Sequence, residues 1–108
     1  MQDLEINARL TIPASELHWL FCRSSGAGGQ NVNKVESAVR LSWSVQESAC
    51  LGPFHRQRLL ERHRARLVNG CLVVSVSEER SQYQNRQIAL QRLAALIREG
   101  IQPLPPSR

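Results

Sequence analysis

Cysteine is scarce in this chain: Cys22, Cys50 and Cys71 are all it has. They form no close pair and no metal-ligand spacing, and an odd number fits poorly with a disulfide framework, so a reducing cytosol is the simpler setting. No apolar run approaches the length that spans a bilayer. The opening Met1-Gln2-Asp3-Leu4-Glu5-Ile6-Asn7 brings acids early and lacks the basic segment and apolar stretch of a secretory signal. Internal repeats are also missing. His18, His55 and His63 have no ligand spacing with cysteines or carboxylates, so neither a metal nor an organic cofactor is indicated. His63, on the apolar side of a helical pattern, reads as structural, and Cys71, at the head of an apolar strand, reads as core rather than nucleophile.

What remains is 108 residues, 42% of them hydrophobic, which is enough for one domain around a single core. Lys and Arg total 14 against 9 Asp and Glu, a formal charge of +5. A polyanionic partner fits that balance, nucleic acid first; an ordinary basic protein fits it equally well.

Patterning predicts an α+β fold. Ile6 to Ile12 reads as a short strand stopped by Pro13. Ser15-Glu16-Leu17 suits a helical turn, but the alternation of Trp19, Phe21 and Arg23 favours a second strand leading into a glycine-rich loop. Beyond the loop, Val35, Ser37, Val39, Leu41, Trp43 and Val45 share one face of a long strand. After Gly52-Pro53, Leu59, Leu60, His63 and Leu67 recur at helical spacing, and the pattern expects that helix to end at Asn69-Gly70. Cys71 to Val76 reads as another strand. Tyr83, Leu90, Leu93, Ala94, Ile97 and Ile101 mark a final helix, finished by Gly100 and Pro103. The expected core order is β-β-α-β-α, a small mixed or antiparallel sheet packed by two main helices. Residues 1–102 are expected to form the domain and residues 103–108 to begin a linker or tail.

The most informative stretch is Arg23-Ser24-Ser25-Gly26-Ala27-Gly28-Gly29-Gln30-Asn31-Val32-Asn33-Lys34. Its glycines do not match G-x-G-x-x-G, because Asn31 holds the third glycine's place and a strand follows. Neither G-x-x-x-x-G-K-[ST] nor the elbow G-x-S-x-G is present. A plain hairpin connection stays open on the glycines alone. Against it stand Gln30, Asn31, Asn33 and Lys34, whose side chains all donate hydrogen bonds of the kind that phosphate, ribose and bases accept.

Arg23 to Lys34, continued by Val35-Glu36-Ser37-Ala38-Val39-Arg40-Leu41, closely resembles the GGQ domain of class I peptide chain release factors. It is especially similar to the short, codon-independent ribosome-rescue hydrolases of the ArfB/YaeJ type and their mitochondrial relatives. Ile12-Pro13 with Glu16-Leu17 looks like the family's opening, and Arg80-Ser81-Gln82 with Asn85-Arg86 and Ala89-Leu90 looks like its last-helix signature. The resemblance implies hydrolysis of the peptidyl-tRNA ester in the peptidyl transferase centre of the large ribosomal subunit, with Gly28, Gly29 and Gln30 as the catalytic triplet. Arg23, Ser24, Asn31, Asn33 and Lys34 become the expected RNA contacts. Arg80, Gln82, Asn85 and Arg86 are read as RNA contacts or as anchors of the last helix, with anchoring favoured. A second basic surface over Arg56, Arg58, Arg62, Arg64 and Arg66 competes with a simple solvated helix face.

The resemblance further implies the ribosome and peptidyl-tRNA as partners, a glutamine methyltransferase acting on Gln30, and no membrane. A cytoplasmic monomer is expected. Full-length release factors carry stop-codon-reading domains for which 108 residues leave no room, so codon selection is not expected. The rescue hydrolases continue into a Lys/Arg-rich tail, whereas this sequence stops at Pro105-Pro106-Ser107-Arg108; either such a tail follows this linker-like ending or the protein binds ribosomes differently or poorly. The rival from another class is a non-catalytic ribosome- or RNA-binding module of the same fold. A free peptidyl-tRNA hydrolase is the weaker third reading, since the loop has no acid, base or nucleophile of its own.

Overall fold

A computed structural model describes residues 3–22 and 37–101. The expected loop and its flanks, 23–36, and the expected linker, 103–108, lie outside the described residues.

Two small antiparallel sheets and two helices make up the described fold, which is α+β. A hairpin comes first, β1 (Leu4–Asn7) and β2 (Leu10–Ile12). The patterning expectation of a single strand from Ile6 to Ile12 is therefore corrected. Asn7 turns the chain back on itself, because its side-chain Oδ1 accepts the backbone N–H groups of Arg9 at 2.8 Å and Leu10 at 3.0 Å. An Asx turn of this kind substitutes for ladder bonds and ends the strand. A 3₁₀ turn at Ala14–Glu16 leads into β3 (Leu17–Cys22).

β3, β4 (Ala38–Ser44) and β5 (Cys71–Val76) form the second sheet, with β4 in the middle. Register pairs Trp19 with Leu41 and Leu41 with Val74, and period-two alternation then sends Val39, Leu41 and Trp43 to the same face as Leu72, Val74 and Val76. All six are buried. Helix α2 (Gln82–Ile101) covers that face with Ala89, Leu93 and Ile97, and α1 (Pro53–Arg62) packs principally on α2. The order from β3 onward is β-β-α-β-α, as the sequence suggests.

The end of α1 differs from the sequence reading. α1 ends at Arg62 rather than at Asn69-Gly70, with the His63 N–H bonded to the Leu59 carbonyl as its cap. Asn69 and Gly70 instead take φ values of 54° and 78° and form a two-residue hairpin turn between Val68 and Cys71, which exchange both backbone hydrogen bonds. Adjacent positive φ angles are the signature of a type I′ turn, for which Asn-Gly is the preferred pair. α2 is described to Ile101, one residue past Gly100, which is buried where a Cβ would overlap Leu59 of α1. Tyr83 is exposed rather than part of the α2 stripe, and Cys71 is half-buried rather than core.

Candidate active site

The expected catalytic triplet, Gly28, Gly29 and Gln30, and the expected RNA contacts Arg23, Ser24, Asn31, Asn33 and Lys34 all lie outside the described residues. What the structure does describe is the frame to which that segment is attached. Cys22, at the end of β3, is the register partner of Ala38, at the start of β4. The segment between them therefore leaves and re-enters at one end of the sheet. β4 is in turn paired on its other side with β5, from Val39 to Ser44.

The re-entry point has a second tether. Ser37 is buried, and its carbonyl accepts a 2.7 Å hydrogen bond from Nδ2 of Asn85, in the first turns of α2. Asn85 is fully buried. Its Nδ2 also donates to the Glu79 carbonyl at 3.0 Å, while its Oδ1 accepts the Glu79 N–H at 3.0 Å. One amide side chain thus joins the head of β4, the β5–α2 connection and α2. The helix is presented in this position by Ser81, whose Oγ accepts the Gln84 N–H at 3.2 Å and whose carbonyl accepts the Asn85 N–H at 3.0 Å. This is an ordinary N-cap, satisfying amides that the helix leaves unpaired. On the outside of the same connection, Arg92 grips Glu78 through both carboxylate oxygens at 3.0 and 2.8 Å.

The remaining last-helix residues are placed as follows. Arg80 is exposed in the connection before α2, Gln82 is the helix's half-buried first residue, and the half-buried Arg86 holds its guanidinium 5.7 Å from the Tyr83 ring centroid. Of the four, Asn85 is an internal anchor by direct geometry.

The basic exterior expected of α1 is in large part a set of clamps. Arg56 donates to the carbonyls of Val45, Ser48 and Leu51. Arg58 donates to the Ile101 carbonyl at 3.0 Å and Arg62 to the Glu99 carbonyl at 2.7 Å, so two guanidinium groups cap the C-terminal end of α2. Cations are well placed there, since the last helical carbonyls lack partners and carry the negative end of the dipole. Arg64 and Arg66 are exposed. His63 is buried between the helices with its Nε2 2.7 Å from the Leu96 carbonyl.

A polar cluster that patterning misses sits under the 3₁₀ turn. The Glu16 carboxylate accepts hydrogen bonds from the Trp43 indole at 3.0 Å, the Ser48 hydroxyl at 2.5 Å and the Ala49 N–H at 2.9 Å, with the Cys50 thiol 3.6 Å away. Partial burial pushes the Glu16 pKa up, but these hydrogen bonds together outweigh it and hold the group below its usual 4.5. Burial pushes the Cys50 thiol up, with Glu16 adding to the effect. Only the Glu16-Leu17 pair of the opening motif hints at this cluster in the sequence, since its partners are 27 to 34 residues away.

Among the described residues no group of three or more His, Cys, Asp or Glu side chains is arranged to hold a metal ion, and no helix is long and apolar enough to cross a membrane.

The glycine-rich, amide-rich segment is thus attached at a sheet end that a capped helix braces. The RF-1 domain model matches residues 4–104, nearly the whole chain, and the chain belongs to that family. It is 42% identical over 95 residues to a Pseudomonas putida protein named peptidyl-tRNA hydrolase ArfB, covering 87% of this chain and 69% of that one. The mouse large ribosomal subunit protein mL62 is 34% identical over 99 residues, covering 90% of this chain and 48% of its own length. Peptide chain release factor 1 of Parabacteroides distasonis is 37% identical over 95 residues, covering 88% of this chain and 20% of that protein. The chain thus spans about two thirds of the hydrolase, half of the ribosomal protein and a fifth of the release factor.

Proposed function

We propose that the chain is a ribosome-dependent peptidyl-tRNA hydrolase that frees nascent peptides from stalled ribosomes without reading a codon. The observation that carries this is the 42% identity to a peptidyl-tRNA hydrolase across 87% of the chain, in a sequence whose β3–β4 connection contains Gly28-Gly29-Gln30. Residues 1–102 form the catalytic domain in this reading, with a linker or tail beginning at 103.

The chemistry follows from the residue types. Water attacking the ester carbonyl builds negative charge on its oxygen, and a preorganised backbone N–H stabilises such an oxyanion strongly. The Gln30 N–H is the donor in this mechanism. Gly28 and Gly29 supply the backbone shape and the clearance to enter an RNA pocket. The Gln30 side chain is a neutral amide and a poor general base, so it serves to position water and exclude larger nucleophiles. Arg23, Ser24, Asn31, Asn33 and Lys34 contact the tRNA end or neighbouring large-subunit RNA. The protein works as a monomer in the cytoplasm, and Gln30 is the substrate of a glutamine methyltransferase, which mass spectrometry of the native protein would detect as an added methyl group.

The test is single-turnover peptide release from ribosomes stalled on truncated mRNA, with and without any encoded extension beyond Arg108. Release is expected. Gly29→Ala is expected to slow it more than Gln30→Ala, and the reverse order would sink the backbone mechanism. No release from either form would replace the hydrolase by the binding-module reading.

A further inference from the structure

We propose that the exposed Phe54 ring, with the Arg58 guanidinium against it, is a stacking platform for an unpaired base of ribosomal RNA. The platform stands at the opposite end of α2 from the Asn85–Ser37 tether. The inference deepens the hydrolase reading above and rests on it.

Among the described residues Phe54 is the most exposed large hydrophobic side chain, at 65%. A single exposed apolar residue needs no explanation of its own. What sets this one apart is its surroundings. The central carbon of the Arg58 guanidinium lies 4.4 Å from the ring centroid, within cation–π range. Arg58 follows Phe54 by one helical turn, on the same side of α1, and its Nη1 donates to the Ile101 carbonyl at 3.0 Å. The guanidinium is thus held between the ring and the end of α2. His55 adds a second ring, 6.0 Å away and tilted by 46°. Side chains ordered in this way before a partner arrives lose less freedom when it binds. A ring so exposed, with its guanidinium on one face, still offers the other face to a partner.

Charge identifies the class of partner. Residues 53–66 carry arginines at 56, 58, 62, 64 and 66 against Glu61 as their single acid. Such a surface attracts a polyanion, and a polyanion that also presents a flat π-face is a nucleic acid. Unpaired bases stack on aromatic rings and on guanidinium planes. Arg56, Arg58 and Arg62 are directed by carbonyls of the fold. Arg64 is exposed, and with Pro53, Gln57 and Leu60 it lines a groove of about 430 Å³ along α1, a cationic wall for the sugar–phosphate chain of the stacked nucleotide. Placement separates this contact from the chemistry. α2 has 20 residues, so its ends are about 30 Å apart. Asn85, in its first turns, holds Ser37, whereas Arg58 is bonded to its last described residue. A contact that touches neither the ester nor the attacking water supports ground state and transition state alike, so its loss weakens binding and spares the bound rate.

The experiment compares wild type with Phe54→Tyr, Phe54→Leu and Phe54→Ala in the stalled-ribosome release assay, with ribosome concentration varied to separate the saturating rate from the half-saturating concentration. In parallel, Phe54 is replaced by a benzophenone-bearing phenylalanine and irradiated with the same ribosomes. Phe54→Leu keeps apolar bulk and removes the π-face, so it distinguishes stacking on a base from burial in an apolar pocket of a protein. Phe54→Leu and Phe54→Ala are each expected to raise the half-saturating concentration about fivefold or more, the loss of one stacked base. Their saturating rates are expected within about twofold of wild type. Phe54→Tyr, which keeps the ring, is expected to match wild type in both. The photocrosslink is expected on ribosomal RNA. Because the side chain is exposed, circular dichroism is expected to show all three variants folded.

Half-saturation equal to wild type in Phe54→Leu would overturn the inference, as would an equal loss in Phe54→Tyr or a defect confined to the saturating rate. Crosslinks confined to ribosomal proteins would replace the RNA platform by a protein contact, and no crosslink at all would remove the contact. The underlying reading is judged independently by Gly29→Ala. If Gly29→Ala abolishes release and Phe54→Leu behaves as wild type, the platform alone is wrong. If Gly29→Ala releases normally, the catalytic assignment is wrong; the crosslink does not depend on release and decides the platform in that case.

Discussion

Glu16 shows how one side chain can organise distant segments. Its carboxylate gathers the Trp43 indole, the Ser48 hydroxyl and the Ala49 amide around the turn before β3. Because these donors favour the ionised form, its folded pKa lies below the unfolded value near 4.5. The sign follows directly: the stabilisation is complete above the unfolded pKa and is lost as pH falls through the lower folded value. Glu16→Gln should cost about 1 kcal/mol at neutral pH, a modest figure because the group is partly solvated. The gap between variant and wild type should close on acidification below pH 4.5, as read from urea unfolding across pH. A constant gap would show that the carboxylate charge is not what the cluster uses. At this scale the sequence is legible where chemistry is local: Asn7 and Ser81 act within three or four residues of themselves. It marks Asn85 as a candidate anchor but is silent on its partner Ser37, which is adjacent only in the fold.

Elements are legible in proportion to how far their hydrophobic period runs. β4, β5 and α2 are long enough for alternation or helical spacing to identify them, and their buried faces follow from that period. The short first hairpin is read as one strand, because strands of four and three residues offer too few repeats. The end of α1 is misplaced because leucines at 60 and 67 continue a helical spacing past the point where the chain turns at His63. The Asn69-Gly70 pair is a hairpin signal, and it gains that meaning only beside Val68 and Cys71. Gly100 belongs to this scale, since it allows α1 and α2 to approach. Gly100→Ala would gain up to about 1 kcal/mol in helix propensity. Overpacking against the fully buried Leu59 costs about 1–3 kcal/mol. The net expectation is a lower melting temperature. A rise would mean that Leu59 can move aside freely.

At the scale of the whole molecule, the charge of +5 is compatible with an RNA partner, yet three of the α1 arginines also hold backbone carbonyls. Those guanidinium groups keep their charge, so they contribute to the field while their geometry serves the fold. Ribosome binding should weaken severalfold when monovalent salt is raised from about 0.1 to about 0.3 M. A flat response in a binding titration would assign the interaction to uncharged contacts. The sequence alone determined the α+β class, the long strands and last helix, and the family, because hydrophobic period and a glycine-rich motif are properties of neighbouring residues. Only the tertiary structure decided that Asn85 braces the head of β4, that arginines of α1 cap α2, and that Gly100 is also a contact with α1. Each of these depends on hydrogen bonds or close approach between segments about forty residues apart, and no local pattern encodes which distant carbonyl or side chain will arrive.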